Sequence, residues 1–134
     1  MATVVLDSSA VIAYLRGEPG RARVVTALLD DATVCWMHAV NLCEVFYDTL
    51  RASGPAVADN LFADLALVGV RTASHLDSEF LKEVGRIKVE HRLSLADSFA
   101  LALKRRLNAE LLTADRHEFS AIVAAGESGI LFIR

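Results

Sequence analysis

The stretch Thr3-Val4-Val5-Leu6-Asp7-Ser8-Ser9-Ala10 decides how the rest of the chain is read. Thr3 to Leu6 are β-branched or apolar and predict a short buried strand. The strand runs into an aspartate and two hydroxyl residues, then into the helical pattern Val11-Ile12-Ala13-Tyr14-Leu15. Asp7 is thereby expected where a strand ends and a helix begins, at the carboxyl edge of a sheet. In open α/β sheets that edge is where ligands bind.

Working outward, Ser8 to Arg16 predicts a helix stopped by Gly17 and Pro19, and Arg21 to Leu29 a second, amphipathic one. Thr33 to Met37 is a strand-like run. A helix over Ala39 to Leu50 follows, with Val40, Cys43, Phe46, Tyr47 and Leu50 on its inward face. Ser53-Gly54-Pro55 ends it, and Ala56 to Leu67 starts another. Gly69 to Thr72 reads as a short strand, and Asp77 to His91 as a helix with Phe80, Leu81, Val84 and Ile87 inward. Ser94 to Leu107 is apolar almost all round and predicts a central, buried helix. Glu110 to Thr113 is a strand leading into Ala114-Asp115, Glu118 to Ala124 a short helix, and Gly129 to Ile133 a closing strand. Strands alternate with helices and no hairpin signal appears. The expectation is one α/β domain over residues 1–134, a mostly parallel sheet flanked by helices on both faces.

Hydrophobic residues make up 54% of the chain, enough for a core and for further surface buried against a partner or a second copy. No apolar run approaches the roughly 18 residues that span a bilayer. The start has no basic leader and Asp7 interrupts its apolar stretch, so a cytoplasmic location is expected rather than export. Cys35 and Cys43 fit no metal spacing and predict buried, reduced thiols. A net charge of −3 argues against a non-specific nucleic-acid coat protein. Arg86, Lys88, Arg92, Lys104, Arg105 and Arg106 nevertheless gather in a short stretch. They are either solvated helix ends or a local patch that binds phosphates.

Asp7, Glu44, Asp97 and Asp115 stand out by position. Asp7 and Asp115 each follow an apolar strand, Asp97 opens the most apolar helix, and Glu44 sits in Asn41-Leu42-Cys43-Glu44-Val45-Phe46. In a parallel sheet all carboxyl ends lie along one edge, so Asp7 and Asp115 converge if their strands are neighbours. Carboxylates gathered in one cleft repel each other unless cations neutralise them, and all-oxygen donors suit Mg²⁺ or Mn²⁺. Such a site acidifies water and stabilises charge on a phosphodiester. Three of the acids also have a plainer reading at helix caps: Asp7 and Asp115 as N-caps, Asp97 as the acid of a capping box with Ser94. Glu44 shares a polar stripe with Asn41 and Asp48. His38, His75, His91 and His117 show no ligand spacing, and neither a G-x-S-x-G elbow nor a Gly-rich phosphate loop is present.

Together, Val5-Leu6-Asp7-Ser8-Ser9-Ala10, Asn41-Leu42-Cys43-Glu44-Val45, Ser94-Leu95-Ala96-Asp97-Ser98 and Leu112-Thr113-Ala114-Asp115 resemble the PIN-domain ribonucleases. The order and spacing are most similar to the VapC-like toxins of toxin–antitoxin pairs. That resemblance implies a parallel sheet between helices and a metal-dependent endoribonuclease. It implies Asp7, Glu44, Asp97 and Asp115 as the acidic quartet around Mg²⁺ or Mn²⁺, with Asp7, Asp97 and Asp115 as metal ligands. Thr113 and Ser8 are implied as hydroxyls that support the carboxylates. It further implies an RNA substrate, a homodimer, and a cognate antitoxin whose tail covers the cleft. The run Asp115-Arg116-His117-Glu118-Phe119 is more charged than is usual there, which leaves open whether Glu118 joins the site.

Two rivals come from other classes. An aspartate-nucleophile phosphatase also places an aspartate after its first strand, but usually carries a second acid two residues on, where this chain has Ser9. A catalytically silent binding domain would explain the acids as caps alone.

Overall fold

A computed structural model describes residues 1–134. Its strands are β1 (Ala2–Leu6), β2 (Thr33–His38), β3 (Val70–Ala73), β4 (Glu110–Thr113) and β5 (Ile130–Phe132). They form one sheet in the order β3-β2-β1-β4-β5, and every pairing is parallel. The expected mostly parallel sheet is thus wholly parallel. The chain leaves β1 toward β2 on one side and returns to its other side with β4. The first strand therefore sits at the point where strand order reverses, the position at which open α/β sheets form a crevice.

Helices α1 (Ser8–Arg16), α2 (Arg21–Leu29), α3 (Ala39–Ser53), α4 (Pro55–Asp59), α5 (Leu61–Leu67), α6 (Ser78–His91), α7 (Leu95–Leu107) and α8 (Arg116–Ala124) cover the sheet. Strand residues alternate between two faces, and the core divides accordingly. Val5 and Leu111 face a cluster built by α6, α7 and α8, including Phe80, Ile87, Leu101, Leu103 and Phe119. Val4, Leu6 and Leu112 face the opposite cluster, built by α1, α2, α3 and α5 around Val11, Val24, Val45 and Leu65. No helix is long and apolar enough to cross a membrane.

Departures from expectation have local causes. The helix expected over Ala56 to Leu67 is two short ones, divided at Asn60. The Asn60 N–H bonds to Val57 O (3.2 Å) in the tight i−3 pattern, and its side-chain amide donates to Ala56 O (3.1 Å), competing with the regular ladder. Helix α3 buries Asn41, Leu42 and Val45, rather than the face carrying Cys43, Tyr47 and Leu50. Cys43 is accordingly exposed while Cys35 is buried, which corrects the expectation of two buried thiols. Leu81 also faces outward. His38 is fully buried as the N-cap of α3. Its Nδ1 accepts from Val40 N (3.1 Å), so its Nε2 carries the proton and donates to His75 O (2.9 Å).

Candidate metal centre

The site grows from the pairing of β1 with β4. Leu6 lies beside Leu112 in register, so Asp7 and Thr113, the next residues, stand side by side at the carboxyl edge. Asp7 leaves the strand in an extended conformation and caps α1, its Oδ1 accepting from Ala10 N at 2.9 Å. The same oxygen accepts from the Ser9 hydroxyl at 2.8 Å, and Oδ2 accepts from the Thr113 hydroxyl. Thr113 Oγ1 in turn accepts from Asp115 N at 3.0 Å, and Ser9 Oγ from Ala114 N at 2.9 Å. Two hydroxyls thus lace the turn after β1 to the turn after β4.

Asp115 caps α8, with Oδ1 accepting from Glu118 N at 3.0 Å. Ser94 caps α7 by accepting from Asp97 N at 3.1 Å, which sets Asp97 in the first turn of that helix. These caps place the carboxylates of Asp97, Asp115 and Glu118 with one oxygen each within 4.8 Å of one another. Glu118, whose part the sequence left open, stands inside the cluster. Glu44 stands on its flank: it lines a groove with Val40, Cys43, Tyr47, Ser94, Leu95 and Ala96, and accepts from the Tyr47 hydroxyl at 3.3 Å. Ser8 is turned away from Asp7, donating to Asn41 O at 3.2 Å. Ser9 makes the contacts to the acid. The sequence carried a signal for it, a hydroxyl two residues past the aspartate at the mouth of the first helix.

None of Asp7, Glu44, Asp97, Asp115 or Glu118 has a lysine or arginine partner. Burial pushes the Asp7 carboxyl up to about 6 against the pull of its three hydrogen bonds. Burial first, and then the charge of Asp7, push Asp97 up to about 7. An array of this kind is an unneutralised pocket of hard oxygen donors, and a divalent cation is the group that fits it. Asp97, Asp115 and Glu118 could hold one directly, with Asp7 supplying a fixed charge from below. Asp7 has donors on both oxygens, which disfavours the phosphatase reading, in which that carboxylate must attack.

The six cations do not form one patch. Helices α6 and α7 are antiparallel, since Arg106 at the end of α7 pairs with Asp77 at the start of α6 (3.1 Å). Lys104 is seven residues beyond Asp97, so about 10 Å along α7 from the acids. It is buried, with Nζ 3.0 Å from Glu127, while Arg105 bridges Glu127 (2.7 Å) and Glu83 (2.8 Å). Arg86 lies 3.8 Å from Glu83. Only Lys88, donating to Leu93 O (3.0 Å), and exposed Arg92 stand at the α6–α7 turn on the acidic side.

No curated protein matches the chain. Solved structures do. A toxin–antitoxin complex from Klebsiella pneumoniae aligns with a TM-score of 0.72 over 98% of each chain at 16% identity. VapC20 of Mycobacterium tuberculosis, a sarcin–ricin loop cleaving toxin, aligns at 0.70 over 89% of this chain and 94% of its own, at 20% identity. A DNA-bound VapBC from Salmonella typhimurium aligns at 0.71 over all of both chains, at 14% identity. Identities this low establish a shared fold. The sequence itself matches the model of the PIN domain over residues 4–124, from the strand that delivers Asp7 through the helix that Asp115 caps. With that match over most of its length and with that sheet, this chain belongs to the PIN-domain family.

Proposed function

We propose that the protein is a metal-dependent endoribonuclease toxin that hydrolyses RNA phosphodiester bonds in the cytoplasm and is restrained by a cognate antitoxin. The observation that carries this reading is the convergence of Asp97, Asp115 and Glu118 over buried Asp7 with no basic partner among them. Support comes from membership of the PIN family and from the fold shared with the Klebsiella, Mycobacterium and Salmonella toxins.

Mg²⁺ or Mn²⁺ in this cleft supplies the acidification of water and the neutralisation of phosphate charge that the hydrolysis needs. The chain's own contribution is position. Thr113 and Ser9 fix the Asp7 carboxylate, the helix caps aim Asp97, Asp115 and Glu118 at one point, and Glu44 lines the adjoining groove from α3. Exposed Arg92 and Lys88 stand where an RNA backbone would enter. The groove of Val40, Cys43, Tyr47 and Leu95 beside Glu44 is the place for an antitoxin segment. Leu29, Leu67 and Val89, exposed at 76%, 85% and 83%, are apolar surface available to a homodimer.

The test is cleavage of RNA by purified protein and by a folded Asp97→Asn variant, with Mg²⁺, with Mn²⁺ and with chelator. Cleavage by the wild type alone, and only with metal, is the expected result. Equal cleavage by the variant, or metal-independent cleavage, overturns the reading.

A further inference from the structure

Asn41 is a fully buried polar residue on α3, one turn before Glu44. Its Nδ2 donates to Ala96 O at 3.0 Å and approaches Ser8 Oγ at 3.4 Å, while its backbone carbonyl accepts from the Ser8 hydroxyl at 3.2 Å. Ser8 adjoins Asp7 and Ala96 adjoins Asp97. One amide therefore joins the starts of α1 and α7 to α3, beside three of the acids. Its orientation is fixed, because the reverse would set Oδ1 against the Ala96 carbonyl oxygen. As it stands, Oδ1 is buried without a hydrogen-bond partner. For packing alone a leucine would fill this space without an unpaired acceptor. What the amide alone supplies is a donor that ties α3 to the Ala96 carbonyl of α7 and to the Ser8 hydroxyl of α1.

We infer that Asn41 is a positioning residue of the acidic cleft: through Ser8 and Ala96 it sets the spacing of Asp7, Glu44 and Asp97, and so the affinity of the cleft for its cation. The inference rests on the proposed metal-dependent nuclease. Groups that orient metal ligands from behind typically govern about 10- to 100-fold in metal affinity.

Titration calorimetry with Mn²⁺ alone tests it, on wild type, Asn41→Leu and Ser8→Ala, each checked for folding by circular dichroism. Asn41→Leu keeps the branched outline and removes the donor, and is expected to weaken Mn²⁺ binding by about tenfold or more. Ser8→Ala, which cuts one arm of the link, is expected to weaken it less. An Asn41→Leu isotherm equal to wild type overturns the inference while leaving the nuclease standing. Absence of Mn²⁺ binding by wild type overturns both. If Asn41→Leu does not fold, Asn41→Ala, which removes the same donor, decides: unchanged affinity overturns the inference and a several-fold loss upholds it.

Discussion

The Thr113 hydroxyl donates to Asp7 Oδ2 while accepting from Asp115 N, so one side chain at the end of β4 joins the acid after β1 to the acid after β4. Both Thr113 and Asp7 are wholly buried, and the contact follows directly from the parallel register of β1 and β4. Thr113→Val preserves shape but strips the buried carboxylate and the Asp115 N–H of a partner. A loss of about 1–3 kcal/mol is expected in urea unfolding, with Thr113→Ser close to wild type. A Thr113→Val variant as stable as wild type would show that the hydroxyl holds nothing.

Stability of the metal-free protein should fall as pH rises. Asp7 and Asp97 bind protons more tightly folded than unfolded, at about 6 and about 7 against an ordinary 3.8. Their contribution is complete below the unfolded value and is lost as pH climbs through the folded ones. Thermal unfolding with chelator should therefore show Tm dropping between about pH 4 and about pH 7, with a shallower drop in Asp97→Asn. Saturating Mg²⁺ should restore much of the loss at neutral pH. A variant with an undiminished slope would remove Asp97 from this account.

Glu118 and Glu44 separate cleanly. The Glu118 carboxylate lies within 4.8 Å of those of Asp97 and Asp115, whereas Glu44 lines the adjoining groove. Glu118→Gln is expected to weaken Mn²⁺ binding by about tenfold, equivalent to about 1.4 kcal/mol, and Glu44→Gln by less. Titration calorimetry on the two variants gives the comparison, and the reverse ranking would place the cation nearer α3.

Lys104 should matter for folding and not for cleavage. Its ammonium is buried against Glu127 at 3.0 Å, in the last turn of α7, away from the acids. Arg105 still neutralises Glu127, so Lys104→Met should lose only about 1–3 kcal/mol, the worth of a charged hydrogen bond, while Lys104→Met with Glu127→Leu, which also takes a partner from Arg105, should lose more. Chemical unfolding measures both. RNA cleavage by the folded single variant should equal wild type, and a selective loss of cleavage would return Lys104 to the substrate surface.

The fold was largely legible because Val4, Leu6 and Leu112 fill one face and Val5 and Leu111 the other, and because strands and helices alternate without hairpins. Asp7 and Asp115 were legible as residues that follow strands. The inward face of α3 was not. Periodicity favoured Cys43 and Tyr47, but the helix turns on Asn41, whose partners Ser8 and Ala96 lie 33 and 55 residues away. Ser9 was overlooked for the same reason, since its bond to Ala114 spans 105 residues. The cationic stretch misled because closeness in sequence hid the reversal between α6 and α7. That reversal sends Arg92 to one end of the layer and Lys104 to the other.

The pairing of β1 with β4 has a consequence for when the acidic cleft comes into being. Asp7 and Thr113 are 106 residues apart, and Glu118 lies later still. Domains form as their chain emerges, but a parallel contact this distant waits for its partner strand. A ribosome translating this chain carries an incomplete cleft until synthesis has passed Glu118. Synthesis past Glu118 is thus the step that assembles the cleft, and nothing that grips all of its acids at once can meet the chain earlier.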